Sequence, residues 1–177
     1  MKNDRNHLIK SKKEQIVVHM KESMNSFDLD RASRDILAAL QDDARLSFNQ
    51  LAKRVGLSPP AVAERVRRME ETGVIRGYRI VVDRASLGWP VTAMVRLSCP
   101  AQQDRGVVGL ARDLPEILEC FHVSGEDCFV LKVAAGSIGH LEDVVERLRQ
   151  FGQVITSIVF SAAVEGKPLA PVDERIP

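Results

Sequence analysis

Hydrophobic positions along the chain follow two rhythms, a helical one first and a largely strand-like one after about residue 75. In "FDLDRASRDILAAL" the residues Ile36, Leu37 and Leu40 recur at helical spacing. Asp28 or Asp30 stands ready to accept the free N–H groups of the first turn, and "DDAR" ends the helix. A second helix is predicted from Ser47, with Phe48, Leu51, Ala52 and Val55 on one face and Gly56 supplying the turn that ends it. Ser58 caps a third. Pro59 and Pro60 fall in its first turn, where a missing N–H costs nothing. Val62, Val66 and Met69 lie inward at i, i+4 and i+7. Pro60, Glu64, Arg67, Arg68 and Glu71 then point outward, with Ala61 and Arg65 on the flanks, and Gly73 closes the helix.

Two short helices joined by "VGLS", with a third before them, make a three-helix helix-turn-helix domain, assigned to residues 27–75. The second helix of such a motif enters a major groove with its N-terminal residues nearest the bases. The DNA-facing set is Ser47 and Asn49 at the start of the second helix, Ser58, Pro60, Ala61, Glu64, Arg65, Arg67 and Arg68 along the third, and Arg76 beyond it. Guanidinium groups suit phosphate and guanine because they present paired N–H donors. The small residues at 58, 60 and 61 let the helix end approach base edges. The acids Glu64, Glu70 and Glu71 point the other way, towards a helical hairpin with solvated arginines.

"GVIRGYRIVVD" reads as a strand or ribbon, and residues 76–88 as the strand linker between the halves, with Arg76 and Arg79 placed to touch phosphate. Beyond it come a strand in "GWPVTAMVRLSC" and a helix in "RGVVGLARDL", with Val107, Leu110, Ala111 and Leu114 on one face. Strands in "EILECFHVSG" and "DCFVLKVAA" follow. A helix capped by Ser137 then aligns Ile138, Leu141, Val145 and Leu148, and "VITSIVFSAAV" is a last strand. The order βαββαβ over residues 89–165 is the split arrangement of a ferredoxin-like domain. The fold class is therefore α+β. Such a sheet carries helices on one face only, and a second copy of the chain covers the other most simply, so a sheet-to-sheet homodimer is expected. The tail from residue 166 to 177 is expected to be irregular. Residues 1–26 lack sustained periodicity and read as a charged, flexible tail. Met20 and Met24 leave room for a later translation start.

Composition changes this picture little. The chain has 177 residues and a formal net charge of +1. The charge is uneven: cations outnumber acids in residues 1–83, and acids outnumber cations beyond them. That asymmetry permits a nucleic-acid partner at the N-terminal end. No apolar run approaches the ~20 residues that span a bilayer, and the charged N-terminus lacks a signal-peptide core, so no membrane partner and a cytoplasmic location are expected. Cys99, Cys120 and Cys128 have no metal-type spacing and read as reduced thiols, with Cys128 a small core filler. The four histidines show no paired-ligand pattern, and His122 reads as an ordinary strand residue. No cofactor or metal is expected.

The run "LDRASRDILAALQDDARLSFNQLAKRVGLSPPAVAERVRRMEETGVIRGY", followed by a βαββαβ domain carrying "HVSGEDCFVLKV", resembles the Lrp/AsnC family of leucine-responsive, feast/famine transcriptional regulators. The resemblance extends from about Phe27 to about Pro168. It implies a helix-turn-helix at about Phe48 to Arg67 bound to double-stranded DNA in the nucleoid. It also implies a C-terminal domain that dimerises, dimers that assemble further, commonly to octamers, and a small effector, usually an amino acid, held between C-terminal domains of neighbouring subunits.

The family's Val-Ser-Gly-acid turn falls on Val123, Ser124, Gly125 and Glu126, with Asp127 and Cys128 completing the expected effector site. A glycine there brings backbone N–H groups close to an incoming carboxylate, and an adjacent acid pairs with an α-amino group. The leucine-type pattern reads Gly-acid-x-acid; here the two acids are adjacent and Cys128 takes the second acidic position. The sequence is similar to the branch reading "GxDCF", while "VITSIVFS" departs from that branch's "TTSIVLS". A relative of this architecture that decarboxylates a tetrapyrrole needs a basic, histidine-bearing pocket, whereas this C-terminal half is net acidic with His122 alone nearby. A regulator, not an enzyme, is expected.

Overall fold

A computed structural model describes residues 29–170. The expectations for residues 1–26, for Asp28 and for residues 171–177 lie outside the described residues. The chain forms two compact units, one built from residues up to Arg79 together with those from Lys167 on, the other from Ile80–Gly166.

The first unit contains α1 (Arg31–Asp42), α2 (Phe48–Val55) and α3 (Pro59–Glu71). Local chemistry starts each one. Asp30 caps α1 by accepting from the Ser33 amide at 2.7 Å. Ser47 and Gln50 close a reciprocal capping box on α2. Ser58 caps α3 ahead of its two prolines. Ile36, Ala39, Leu40, Leu51, Ala52, Val62, Val66, Met69 and Ile75 meet in one apolar core. Phe48, expected inward, is instead about half exposed at 47%. As the first residue of α2 it stands at the edge of the bundle, and Leu51 and Ala52 fill the centre. Leu169, from the far end of the chain, exchanges two hydrogen bonds with the Gln41 side-chain amide, at 2.8 and 3.0 Å.

The second unit is one antiparallel sheet with two helices: β1 (Val91–Ser98), α4 (Asp104–Asp113), β2 (Ile117–His122), β3 (Phe129–Ala135), α5 (Ile138–Arg149) and β4 (Gln153–Ile158). The strand order is β2-β3-β1-β4, with β3 and β1 in the middle and β2 and β4 at the edges, as the split topology requires. Ala93, Val95, Leu97, Phe129, Leu131 and Val133 face the helices and pack on Val107, Leu141, Val144 and Leu148. Register fixes the other face. Phe121, Val130, Arg96 and Ile155 line up across all four strands, next to a row of Glu119, Lys132, Met94 and Ser157. Lys132 is flanked on that face by Glu119 at 3.8 Å and by Glu165 at 3.3 Å, and Glu165 also binds Arg84 at 3.2 Å.

Four expectations about elements need correction. The linker from Arg76 to Asp83 forms no ladder, because no strand among the described residues lies beside it; Ile80 and Val81 are 85% and 101% exposed. The last strand stops at Ile158, not near Val164. The Val159 amide donates to the Thr92 carbonyl at 2.8 Å, and the partner strand begins one residue earlier. The strands either side of the 123–128 turn are shorter than their apolar runs. Ile138, expected in the inward stripe of α5, is half exposed, and Val144 takes the inward place.

Candidate nucleic-acid interface and effector turn

The helix-turn-helix is assembled from short-range signals. Gly56 has φ of 70°, a left-handed conformation that costs glycine nothing, and it ends α2. The Leu57 amide returns to the Ala52 carbonyl at 3.0 Å, which aims Ser58 into the start of α3. Ser58, Pro60, Glu64, Arg67 and Arg68 are exposed, and Ala61 is half-buried. Ser47 and Asn49 are exposed at the start of α2, and Arg76 is exposed beyond α3. The expected set thus shares one unit, and its charged members are open to solvent with one exception.

The exception is Arg65. Its side chain is only 32% exposed. It donates to Asp30 Oδ2 at 3.0 Å and to the Ala61 carbonyl at 3.4 Å. Its Nε is buried without a partner among the described residues. Arg65 is directed at the start of α1 and not at the exposed face. Arg67 is held differently: Glu64 takes it from one side through Nε at 3.1 Å and through a second N–H, and Glu71 takes it from the other. The Glu64 carboxyl is lowered and the Arg67 guanidinium raised from their ordinary pKa values, in both cases chiefly by the hydrogen bonds they share. The sequence shows three arginines and three glutamates on α3. The helix therefore carries no net formal charge, and any contact with phosphate would depend on the placement of individual groups.

In the second unit the 123–128 turn is closed by the Val123 amide donating to the Cys128 carbonyl at 2.9 Å. Gly125 has φ of 132°, which favours glycine, and Ser124, Gly125 and Glu126 are exposed. The two adjacent acids diverge. Asp127 accepts from the Ser98 hydroxyl at 3.1 Å and lies 3.6 Å from Arg96, so it braces the turn against β1; Glu126 faces solvent. The Cys128 thiol donates to the Cys99 carbonyl at 2.9 Å and packs on the core. Burial, followed by the neighbouring Cys128, pushes the Cys99 thiol up to about 11. His122 stacks on Phe129 with ring centres 4.9 Å apart. A cavity of about 320 Å³ opens between α4 and β2, lined by Val108, Ala111, Ile117, Cys120, His122 and Phe129 among others. Its lining includes the residue on each side of the turn. Periodicity along the chain shows nothing of this cavity; Ile117 and Glu119, between which β2 shifts register against β3, are both in its lining. Among the described residues no three His, Cys, Asp or Glu side chains come together as a metal site, and no helix is long and apolar enough to cross a membrane.

A capped helix-turn-helix unit followed by a split βαββαβ unit defines a class of two-domain regulator, one part shaped for DNA and the other for a ligand. Residues 29–76 match the model of winged helix-turn-helix DNA-binding domains, and residues 92–169 match that of the Lrp/AsnC ligand binding domain. The chain belongs to the Lrp/AsnC family of transcriptional regulators. It is 34% identical over 133 residues to the HTH-type transcriptional regulator LrpC of Bacillus subtilis, spanning 75% of this chain and 92% of that protein. It is 38% identical over 125 residues to the leucine-responsive regulatory protein of Rhizobium meliloti, spanning 68% and 80%. Among solved structures, B. subtilis LrpC superposes with a TM-score of 0.75 at 33% identity, covering 80% of this chain and 100% of that one. The feast or famine regulatory protein Rv3291c of M. tuberculosis, complexed with L-methionine, superposes with a TM-score of 0.75 at 29% identity, covering 81% and 99%.

Proposed function

We propose that this regulator reads DNA through the N-terminal half of α3, and that an amino acid bound at the 123–128 turn modulates the reading. Ser58, Pro60, Ala61 and Glu64 face base edges. Ser47, Asn49, Arg67, Arg68 and Arg76 approach the backbone, so affinity falls steeply with salt. The protein acts without catalysis, as a homodimer that assembles into larger even-numbered oligomers, with the outer sheet face meeting a second copy.

The observation that carries this reading is the capped, exposed start of α3, where small side chains leave the helix end unobstructed. The turn supports the second half of it. Gly125 leaves the backbone open to a carboxylate, Glu126 is exposed for an α-amino group, and Asp127 is occupied as a brace. The L-methionine complex of the structural relative points to the same ligand class. Coupling follows from linkage: an effector that favours one assembly of C-terminal domains alters how paired recognition helices meet DNA. Genomic footprinting of the tagged protein, with and without added amino acids, tests the proposal. It should reveal roughly palindromic sites whose occupancy changes with at least one amino acid; occupancy scattered without a common sequence would refute it.

A further inference from the structure

Arg65 follows an exposed glutamate on α3, yet its guanidinium is turned away from the surface its neighbours present. It reaches Asp30 at 3.0 Å, while Asp30 also caps α1 through the Ser33 amide at 2.7 Å. A single carboxylate therefore joins the start of α1 to the flank of α3. These helices also share an apolar core, through residues such as Ile36, Val62 and Val66. Apolar contact is non-directional and leaves a helix some freedom to rotate about its axis. A charge-assisted hydrogen bond with a second anchor on the Ala61 carbonyl does not. The Arg65 Nε is buried and has no partner among the described residues, so the side chain is held inward although that donor is unmet there.

We infer that Asp30 and Arg65 are a positioning pair that fixes the rotation of α3, and that Arg65 itself touches no phosphate. The inference rests on the reading of α3 as the helix that enters the groove. It assigns a DNA-binding role to an acidic residue, Asp30, that no charge argument would select.

The sign of the expected effects separates this role from a phosphate contact. Removing an arginine that contacts phosphate weakens binding to all sequences alike and lowers the salt slope by about 0.9. Removing an acid near DNA tightens binding through electrostatics alone. A positioning pair behaves otherwise: losing either member misaligns the same helix, so both losses weaken specific binding and they do not add.

The test is fluorescence anisotropy on the full chain, using a footprinted site and a scrambled duplex at several salt concentrations, below each variant's unfolding midpoint. Asp30→Asn is the principal variant, because asparagine caps a helix as well as aspartate but carries no charge. Asp30→Asn and Arg65→Ala should each lose roughly fivefold or more in affinity for the site relative to the scrambled duplex. Their salt slopes should match the parent's, and the double variant should be no weaker than Arg65→Ala. The pair is overturned if Asp30→Asn binds the site as tightly as the parent or tighter, or if Arg65→Ala loses equally on both duplexes with a shallower slope. A parent protein that fails to distinguish its site from the scrambled duplex would sink the groove-helix reading itself, and the positioning role with it.

Discussion

Asp30 gathers hydrogen bonds from both α1 and α3. The Ser33 hydroxyl, the Ser33 amide and Arg65 together hold its carboxyl down from an ordinary 3.8 to about 2. A carboxyl whose folded pKa is depressed adds stability that is complete above its unfolded value and is lost as pH falls through the folded one. Asp30 should therefore add to stability at neutral pH and lose that contribution between pH 3.8 and about 2. Urea unfolding of the parent and of Asp30→Asn across that window should show a stability gap that narrows on acidification, since asparagine does not titrate; a gap constant with pH would contradict the assignment. Glu64 acts at the same scale with the opposite consequence. It ties up Arg67 on the exposed side of α3 and presents its own charge to any approaching phosphate. Glu64→Gln should therefore raise affinity for random duplex at low salt and steepen the salt slope by up to about 0.9, as the Arg67 guanidinium, no longer neutralised by Glu64, engages its phosphate fully. Anisotropy on the scrambled duplex measures both, and an unchanged slope would show that Arg67 stays bound to Glu71.

At the scale of elements, what could be read from sequence was what short-range chemistry decides. Ser47, Gly56, Ser58 and the two prolines mark α2, the turn and α3 within a few residues of their observed bounds, because caps and turns are satisfied by neighbours in the chain. The inward line of Val62, Val66 and Met69 and the outward line of Glu64, Arg67 and Arg68 follow from spacing alone. The Arg76–Asp83 linker did not follow, because a strand needs a ladder partner and an apolar run cannot say whether one exists. The Arg65–Asp30 pair was equally hidden: 35 residues separate its members, and spacing predicts a flank position for Arg65 whether or not an acid waits there. Gly56 offers a direct check on the turn. A Cβ built on it meets nothing within 4 Å, so substitution costs only backbone strain at φ of 70°. Gly56→Ala should destabilise by about 1 kcal/mol, and Gly56→Asn by less, because asparagine tolerates the left-handed region. Equal losses for the two in urea unfolding would mean that packing, and not backbone strain, sets the cost.

At the scale of the whole molecule, the second unit has two unlike faces. The helix side of its sheet is closed by α4 and α5, whereas the other side presents Phe121 at 50% and Ile155 at 44% exposure, in one row with Val130 and Arg96. Apolar area of this kind, ordered across four strands, is what a second sheet of the same sequence would cover, and a two-fold axis lets the same row serve both partners. The ion pairs on that face do not forbid this: Arg96 is drawn towards Asp127 at the turn, and Lys132 is matched by Glu119 and Glu165. Pairing also matters for DNA. On the proposed reading one α3 would reach a single half-site, and joining two would convert the second encounter into an intramolecular one, raising affinity without any new contact. Phe121→Asp places a carboxylate within the row, where two copies would face one another. It should give a monomer by light scattering coupled to size exclusion, with helix and sheet content intact by circular dichroism. Affinity for a full palindromic site should fall by at least about tenfold, while affinity for an isolated half-site stays close to the parent's. If Phe121→Asp remained a dimer, the sheet face would not be the interface. If it became a monomer yet kept full affinity for the palindrome, the paired recognition helices would owe nothing to this contact.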